Sequence, residues 1–217
     1  MTEADPRSGP RFGASAFAGT VPASAGRRVL VVRHGETAWS RAGRHTGRTD
    51  LPLEPEGRLQ AQALGPAIAG EGLVLSEILT SPLARARETC RLAGLSAGAI
   101  VVDDLAEWDY GACEGRTRAE IQEQWPGWNL WRDGCPNGEV LADVARRAER
   151  VIARVRASQG DVAVFAHGHL LRVLAACWVG APPELGARLV LGPARLSLLG
   201  YDRDAAAILR WNAPVAS

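Results

Sequence analysis

Two hydrophobic patterns alternate along the chain from residue 28 to residue 211. Short continuous apolar runs are typical of strands buried on both faces. Apolar positions repeated every three to four residues are typical of amphipathic helices. The runs predict strands over residues 29–32, 77–80, 100–102, 162–166, 196–201 and 206–211. The repeats predict helices over residues 56–69, 81–93, 139–156 and 170–179, the second one capped by Ser81 with Pro82 in its first turn.

This alternation of strand and helix predicts an α/β protein with a mainly parallel sheet. No linker-like stretch interrupts residues 28–211, so we expect a single domain over residues 28–217. Residues 1–27 are rich in Gly, Ala, Ser and Pro and are expected to form a disordered leader. Residues 103–138 are loop-rich and carry four tryptophans, and we expect this insertion to cover the carboxyl ends of the strands.

Composition narrows the classes of partner. The formal net charge of +1 provides no field for steering nucleic acid or an anionic membrane, and neither is expected as a partner. No stretch is apolar enough over sufficient length to span a membrane. The four cysteines lack Cys-x-x-Cys or zinc-finger spacing, which favours reduced thiols in a cytoplasmic protein. All 25 basic residues are arginine, so every cation of these side chains is a planar guanidinium.

Two of the four histidines directly follow predicted strands. His34 follows the first strand within Arg33-His34-Gly35, and His167 follows the fourth within His167-Gly168-His169. Ligands of open α/β sheets bind at the carboxyl ends of the strands. The two imidazoles are therefore predicted to form one site.

The residues around these strand ends are those that metal-free phosphoryl transfer requires. A neutral imidazole can attack phosphorus, which makes His34 the candidate nucleophile. Arg33 and Arg85 would stabilise the charge on the transferred group, and Arg87 would point away on the same helix. His167 would add a further contact, and a charge if protonated. The backbone amides of Gly168 and His169 would begin a helix suited to an anion.

The leaving alkoxide also needs an acid, and residues 107–115 contain three carboxylates beside bulky aromatic side chains. A carboxyl in a partly dry cleft can stay protonated. Glu107 is the predicted general acid, which would later act as a base toward water. Asp109 is the reserve candidate.

In this order, the motifs resemble the histidine phosphatase superfamily, the phosphoglycerate-mutase-like proteins. They lie at residues 33–37, 43–53, 81–85, 107–115 and 166–169. Residues 128–139 resemble the sedoheptulose-1,7-bisphosphatase branch, and the Gly-Arg-His-Thr-Gly and Ala-Glu-Trp-Asp-Tyr-Gly stretches resemble actinobacterial acid phosphatases.

The resemblance implies a three-layer αβα sandwich and a phosphohistidine intermediate on His34. It implies a phosphate pocket of Arg33, Arg85 and His167, with Glu107 as proton donor. It further implies substrate contacts at Thr46 and Gly47, and at Tyr110, Arg172 and Arg132 around the rest of a sugar phosphate. A loop-ordering ion pair is the alternative role for Arg132.

The expected function is metal-independent hydrolysis of small phosphomonoesters, without a cofactor. A cofactor-dependent phosphoglycerate mutase is the main alternative. Residues 116–118 and the Trp-rich segment replace the insertion of such mutases, and Ser40 replaces their common asparagine, which favours a phosphatase. A non-catalytic phospholigand-binding protein and a metallohydrolase using the four histidines are weaker alternatives. The oligomeric state stays open, with a homodimer as one option.

Overall fold

The computed structural model describes residues 27–215 and has one six-stranded sheet at its centre. The strands are β1 Val29–Arg33, β2 Leu75–Thr80, β3 Ala99–Val101, β4 Asp161–Ala166, β5 Leu196–Asp202 and β6 Ala205–Ala213. Their order across the sheet is β3-β2-β4-β1-β5-β6. The first four in that order run parallel, whereas β5 and β6 form an antiparallel hairpin beside β1. The predicted mainly parallel α/β sheet is confirmed.

Helices cover both faces of this sheet. They are α1 Ala38–Arg41, α2 Pro55–Ala69, α3 Ala84–Leu92, α4 Arg118–Gln124, α5 Leu130–Asp133, α6 Leu141–Ala157 and α7 Gly168–Trp178. Three short 3-10 turns lie at Asp103–Leu105, Gly111–Cys113 and Pro183–Arg188. The predicted elements correspond to the observed ones with small shifts at their ends.

Strand β1 shows why three layers form. Val29 and Val31 belong to a buried cluster that includes α6 and α7. Leu30 and Val32 point the other way, into a cluster with α2 and α3. Successive side chains of a strand point to opposite faces, so a continuous apolar run requires a covering layer on each side.

The pairing of β1 with β4 brings the two predicted histidines to one edge of the sheet. Arg33 pairs with Ala166 at the end of the parallel register, and His34 N–H donates to the Ala166 carbonyl at 3.0 Å. His34 and His167 are therefore the first residues beyond two adjacent parallel strands. The prediction that these strand ends meet is confirmed.

The start of α3 differs from the prediction. Ser81 does not cap a helix that begins at Pro82, because α3 begins at Ala84 with Leu83 at its N-cap. Both carboxylate oxygens of Asp50 accept from the Ala84 N–H at 2.9 Å. A distant carboxylate therefore caps this helix, and the Ser81 hydroxyl accepts from the Leu83 N–H at 3.2 Å just before it.

The segment predicted as a loop-rich insertion contains two 3-10 turns and the short helices α4 and α5. Trp108 and Trp128 are buried in the same core cluster as α6 and α7, and Trp125 and Trp131 pack against that cluster. These tryptophans hold the segment onto the core. That residues 28–217 act as one domain stays a prediction, and the predicted leader lies outside the described residues.

Two further observations concern residues 27–215. No helix within this range has the length and apolar character needed to cross a membrane. The four cysteines are free thiols, three of them buried and Cys177 half-buried.

Candidate active site

The imidazole of His34 is held in one tautomer by the backbone beside it. Its Nδ1 lies 2.7 Å from the carbonyl oxygen of Gly35. A carbonyl can only accept, so Nδ1 carries the proton and Nε2 keeps its lone pair. The Gly35 N–H in turn donates to the Thr89 hydroxyl at 3.0 Å, which ties this loop to α3. A nucleophilic nitrogen is thereby oriented before any substrate arrives.

Gly35 also makes a close backbone contact. A Cβ at Gly35 would overlap the carbonyl group of Gly57 in α2, and a Cβ at Gly57 would overlap the carbonyl of Glu36. Neither position can carry a side chain without moving backbone. The loop that holds His34 is therefore seated directly on the first turn of α2.

The surroundings of His34 keep it unprotonated. Burial lowers the pKa of His34 well below its ordinary value of 6.5, and the positive charges of Arg33 and Arg85 lower it further. A neutral imidazole is the form that can attack phosphorus. The geometry and the electrostatics of His34 therefore agree with the predicted role.

His167 lies beside His34, with the two ring centroids 5.2 Å apart. Its Nδ1 accepts from Arg85 Nε at 3.2 Å, which leaves Nε2 as the protonated nitrogen that donates to the Ser81 hydroxyl at 2.7 Å. Burial and then the charge of Arg85 lower the pKa of His167 well below its ordinary value. The condition under which His167 would add charge is therefore not met, and His167 is a neutral imidazole.

Arg85 is completely buried, at 0 % exposure, and binds the loop that precedes α2. Its Nη1 donates to the carbonyl of Thr49, and its Nη2 donates to the carbonyls of Thr46 and Gly47 at 2.8–3.1 Å. The guanidinium thus organises that loop and places a fixed positive charge near both histidines. Arg87, two residues later on α3, is exposed, as predicted.

Arg33 presents an unpaired donor. Its Nη1 donates to the Leu191 carbonyl at 2.6 Å, but its Nε is a buried nitrogen with no hydrogen-bond partner among the described residues. A Cβ at Gly168 would come within 3.3 Å of this guanidinium. Since buried N–H groups are rarely left unpaired, the Nε of Arg33 indicates a place for an anionic ligand.

Glu107 is bound to the first turn of α7. Its Oε1 accepts from Trp108 N–H and Leu170 N–H, and its Oε2 accepts from His169 N–H, all at 2.9–3.0 Å. The prediction of an anion at the α7 amides is therefore wrong for His169, because the Glu107 carboxylate occupies that N–H. A carboxylate has about four lone-pair positions. Three are filled, and the remaining one is on Oε2.

A cavity of about 240 Å³ opens beside His34, and the buried side chains of His167 and Arg85 lie behind its wall rather than lining it. Its walls include Arg33, His34, Glu107, Gly168 and Thr46 among the predicted residues. A larger cavity of about 520 Å³ lies along α3 and has Arg85 in its lining, but no histidine lines it and its guanidinium groups at Arg58 and Arg91 are paired with Glu88. The smaller cavity is therefore the candidate active site.

Two predicted outer residues also line this cavity. One is Tyr110, whose hydroxyl forms a hydrogen bond of 2.5 Å with His169 Nδ1. Arg172 stacks over the ring of Trp131, with its Cζ 4.7 Å from the centroid, while its Nε donates to the Gly186 carbonyl at 2.8 Å. Gly47, in contrast, is buried beneath the wall: its N–H donates to Glu114 and its carbonyl accepts from Arg85.

Arg132 does not reach the site. Its side chain is 69 % exposed, pairs with Asp133 at 2.6 Å and donates to the Gly127 carbonyl at 2.9 Å. It borders a different surface depression, together with Trp125 and Pro136. The substrate role expected for Arg132 is therefore not supported, and its ion pair orders the loop instead.

Sequence reasoning missed several residues of the cavity wall. They are Ser40, Gly43, Arg44, His45, Leu191 and the side chain of His169. Four of them lie together in residues 40–45, and only the fold brings this segment to His169 and Leu191. For His45 a signal existed, since it lies in the 43–53 motif beside Thr46.

The sequence profile of the Histidine phosphatase superfamily (branch 1) matches residues 29–214. The chain belongs to this superfamily. An acid phosphatase of Mycobacterium tuberculosis is 40 % identical over 81 % of this histidine phosphatase and 87 % of its own length. A sedoheptulose 1,7-bisphosphatase of Saccharomyces cerevisiae is 40 % identical over 70 % and 68 % of the two chains.

Solved structures support the same family assignment. The structure of an open reading frame from Mycobacterium tuberculosis superposes with a TM-score of 0.83 at 36 % identity, covering 88 % of this histidine phosphatase and 99 % of that chain. The phosphoglycerate-mutase-like fold is thereby confirmed, and the chain is a phosphoric monoester hydrolase. Both of these relatives have phosphatase names at 40 % identity, whereas relatives named probable phosphoglycerate mutase match at 29–31 %, so the mutase alternative is weaker.

Proposed function

We propose that this histidine phosphatase hydrolyses small phosphomonoesters, such as sugar phosphates or related metabolites, in two steps through a phosphohistidine. The observation that carries the proposal is the tautomer of His34. Its Nδ1–H is held by the Gly35 carbonyl, and its neutral Nε2 lies beside His167 and two arginines.

In the first step, His34 Nε2 forms a bond to phosphorus while the bond from phosphorus to the ester oxygen breaks. Arg33, whose Nε has no partner within residues 27–215, donates to the non-bridging oxygens, and the fixed charge of Arg85 beside both histidines stabilises them. His167 contacts these oxygens only when its Nε2–H turns from the Ser81 hydroxyl to the phosphoryl group. The leaving oxygen takes a proton from Glu107, which would carry it at the free position of Oε2. The products of this step are the alcohol and phosphorylated His34.

In the second step, water attacks phosphorus and the bond to Nε2 breaks. Glu107, now ionised, takes a proton from that water. Inorganic phosphate leaves, and His34 and Glu107 return to their starting states. No step requires a metal ion or a cofactor, so the proposal expects activity to survive a strong chelator.

The size of the cavity supports small substrates. Pockets for drug-sized ligands are usually roughly 300–1,000 Å³. The candidate site, at about 240 Å³, suits a phosphoryl group with a small carbon skeleton. Two relatives at 40 % identity, an acid phosphatase and a sedoheptulose 1,7-bisphosphatase, support the same substrate class.

His34→Ala tests the proposal directly. The variant should lose phosphate release from p-nitrophenyl phosphate and from glucose 6-phosphate, with the thermal midpoint showing that it still folds. The unsubstituted protein, quenched during turnover with a radiolabelled ester, should carry an acid-labile, base-stable phosphate that the variant lacks. Undiminished turnover in the variant would overturn the proposed nucleophile.

The mutase alternative is separated by a second assay. Conversion of 3-phosphoglycerate to 2-phosphoglycerate is followed with and without 2,3-bisphosphoglycerate. We expect phosphate release without interconversion. Interconversion that depends on the bisphosphate and exceeds hydrolysis would favour the mutase.

A further inference from the structure

One wall of the cavity presents two parallel imidazole rings. His45 and His169 both line the site, and their rings are parallel within 1° with centroids 6.1 Å apart. They come from distant segments, the loop before α2 and the first turn of α7. The proposed reaction gives neither side chain a role.

The tautomer of His169 is determined by Tyr110. Burial raises the pKa of Tyr110 well above its ordinary value, so its hydroxyl keeps its proton and donates it to His169 Nδ1 at 2.5 Å. Burial also lowers the pKa of His169 well below 6.5, so the ring is neutral. Its one proton must therefore be on Nε2. That nitrogen has no partner among residues 27–215 and is not enclosed, so it is an N–H donor open to the cavity.

His45 has the opposite tautomer. Its Nδ1 lies 2.9 Å from the Arg116 carbonyl, which can only accept, so Nδ1 carries the proton. Burial lowers the pKa of His45, which keeps this ring neutral as well. The Nε2 of His45 has no partner within the described part of the chain and is not enclosed. It therefore offers a lone pair, an acceptor, to the same cavity.

Both rings are fixed by aromatic neighbours. Tyr110 and Trp128 meet the His45 ring edge-on at centroid distances of 4.9 and 5.6 Å. Trp108 and Trp131 meet the His169 ring in the same way at 6.2 and 5.5 Å. A recognition group held by packing and hydrogen bonds is set before the ligand binds.

One donor and one acceptor on a neutral wall match a hydroxyl group, which both donates and accepts. A phosphate or carboxylate would face the lone pair of His45 Nε2. We infer that His45 and His169 are specificity-determining residues that read hydroxyl groups of the substrate, and so select polyhydroxylated phosphate esters over esters of the same size without hydroxyls. The inference rests on the proposed phosphatase function and deepens it.

A matched substrate pair tests the inference. Glucose 6-phosphate and cyclohexylmethyl phosphate present rings of equal size, with and without hydroxyls. The quantity measured is the ratio of their kcat/KM values. His169→Phe and His45→Phe should each lower this ratio at least tenfold, because an unpaired hydroxyl then faces an apolar ring. His169→Gln, whose amide retains an N–H donor, should restore part of the ratio.

The two tyrosines of the chain provide a matched control. Tyr110→Phe removes the hydroxyl that sets the His169 tautomer and should lower the ratio by a smaller factor. Tyr201 packs on Trp178 with a centroid distance of 5.4 Å and does not line the site, so Tyr201→Phe should leave the ratio unchanged. Thermal midpoints confirm that each variant is folded.

The outcomes separate the two levels of the argument. An unchanged ratio in both histidine→Phe variants, or an equal loss on both substrates, would overturn the inference and leave the phosphatase proposal intact. Failure of the unsubstituted protein to release phosphate from either substrate would overturn the phosphatase proposal itself.

Discussion

Arg85 Nε donates a 3.2 Å hydrogen bond to Nδ1 of His167, so the buried guanidinium sets the tautomer of the imidazole beside the proposed nucleophile. The same guanidinium binds three backbone carbonyls of the loop before α2. One side chain therefore supplies charge, orients His167 and holds one wall of the cavity.

Arg85→Lys is expected to damage both stability and activity. A lysine ammonium has three donors and no planar fork, so it cannot serve these four acceptors. Leaving a buried acceptor unpaired costs about 1–3 kcal/mol, and we expect a loss of that order in the free energy of unfolding, measured with urea. The value of kcat/KM should fall at least a hundredfold. Arg87→Lys, an exposed change on the same helix, is the control and should alter neither quantity.

Glu107→Gln is expected to lower kcat by about 10²–10⁴ for alkyl phosphates, whose leaving oxygen needs a proton. The loss should be much smaller for p-nitrophenyl phosphate, because nitrophenolate leaves without one. Asp109 pairs with Arg48 at 2.6 Å and accepts from Gly111 N–H, so Asp109→Asn should change kcat less than tenfold. A larger loss of kcat in Asp109→Asn than in Glu107→Gln would show that Asp109, and not Glu107, is the general acid.

Stability should fall in mild acid because three histidines, the buried His34 and His167 and the half-buried His169, have lowered pKa values. The pKa values of His34, His167 and His169 all lie well below 6.5 in the folded protein. Between pH 7.5 and 5.5 the unfolded chain therefore takes up protons that the folded chain does not. Their contribution is fully present above pH 6.5 and is lost as the pH falls toward the folded values. Each histidine can account for up to about 1.4 kcal/mol over this range.

Urea unfolding at several pH values measures this effect. His169→Gln provides the matched comparison, because it removes one of the three titrating groups. Its unfolding free energy should depend less steeply on pH than that of the unsubstituted protein. A free energy of unfolding that stays flat between pH 7.5 and 5.5 would contradict the assignment of three neutral imidazoles.

Arg172→Ala and Arg132→Ala form a matched pair of arginine deletions. Arg172 lines the cavity and stacks on Trp131, so its loss should raise KM for sugar phosphates about tenfold. Arg132 is exposed and pairs with Asp133, so its loss should change kcat/KM less than twofold. Initial rates over a substrate series provide both values. Equal effects of the two substitutions would show that Arg172 does not contact the substrate.

The part of the site closest to the sheet could be predicted from the sequence. His34 and His167 each follow an apolar run, and the carboxyl ends of parallel strands lie at one edge, so their proximity follows from strand adjacency. Arg85 could be chosen over Arg87 because the period of a helix separates them. These inferences need only local pattern and general geometry.

Contacts between distant segments could not be predicted in this way. The start of α3 depends on the Asp50 carboxylate, which lies more than 30 residues earlier in the chain. The His45 and His169 pair forms only when the loop before α2 meets α7. The motif around Arg132 indicated a contact with the substrate, but its guanidinium pairs with the neighbouring Asp133 instead.

The backbone contact of Gly35 with Gly57 means that the loop holding His34 tolerates substitution less than the rest of the cavity wall does. The main chain of Gly35 packs directly against that of Gly57, so even a methyl group at either position would shift the loop that carries His34. The rest of the wall is built from side chains, among them Ser40, His45, Tyr110 and Arg172. New substrate preferences can therefore arise by substitutions on that wall, while phosphoryl transfer at His34 is unchanged.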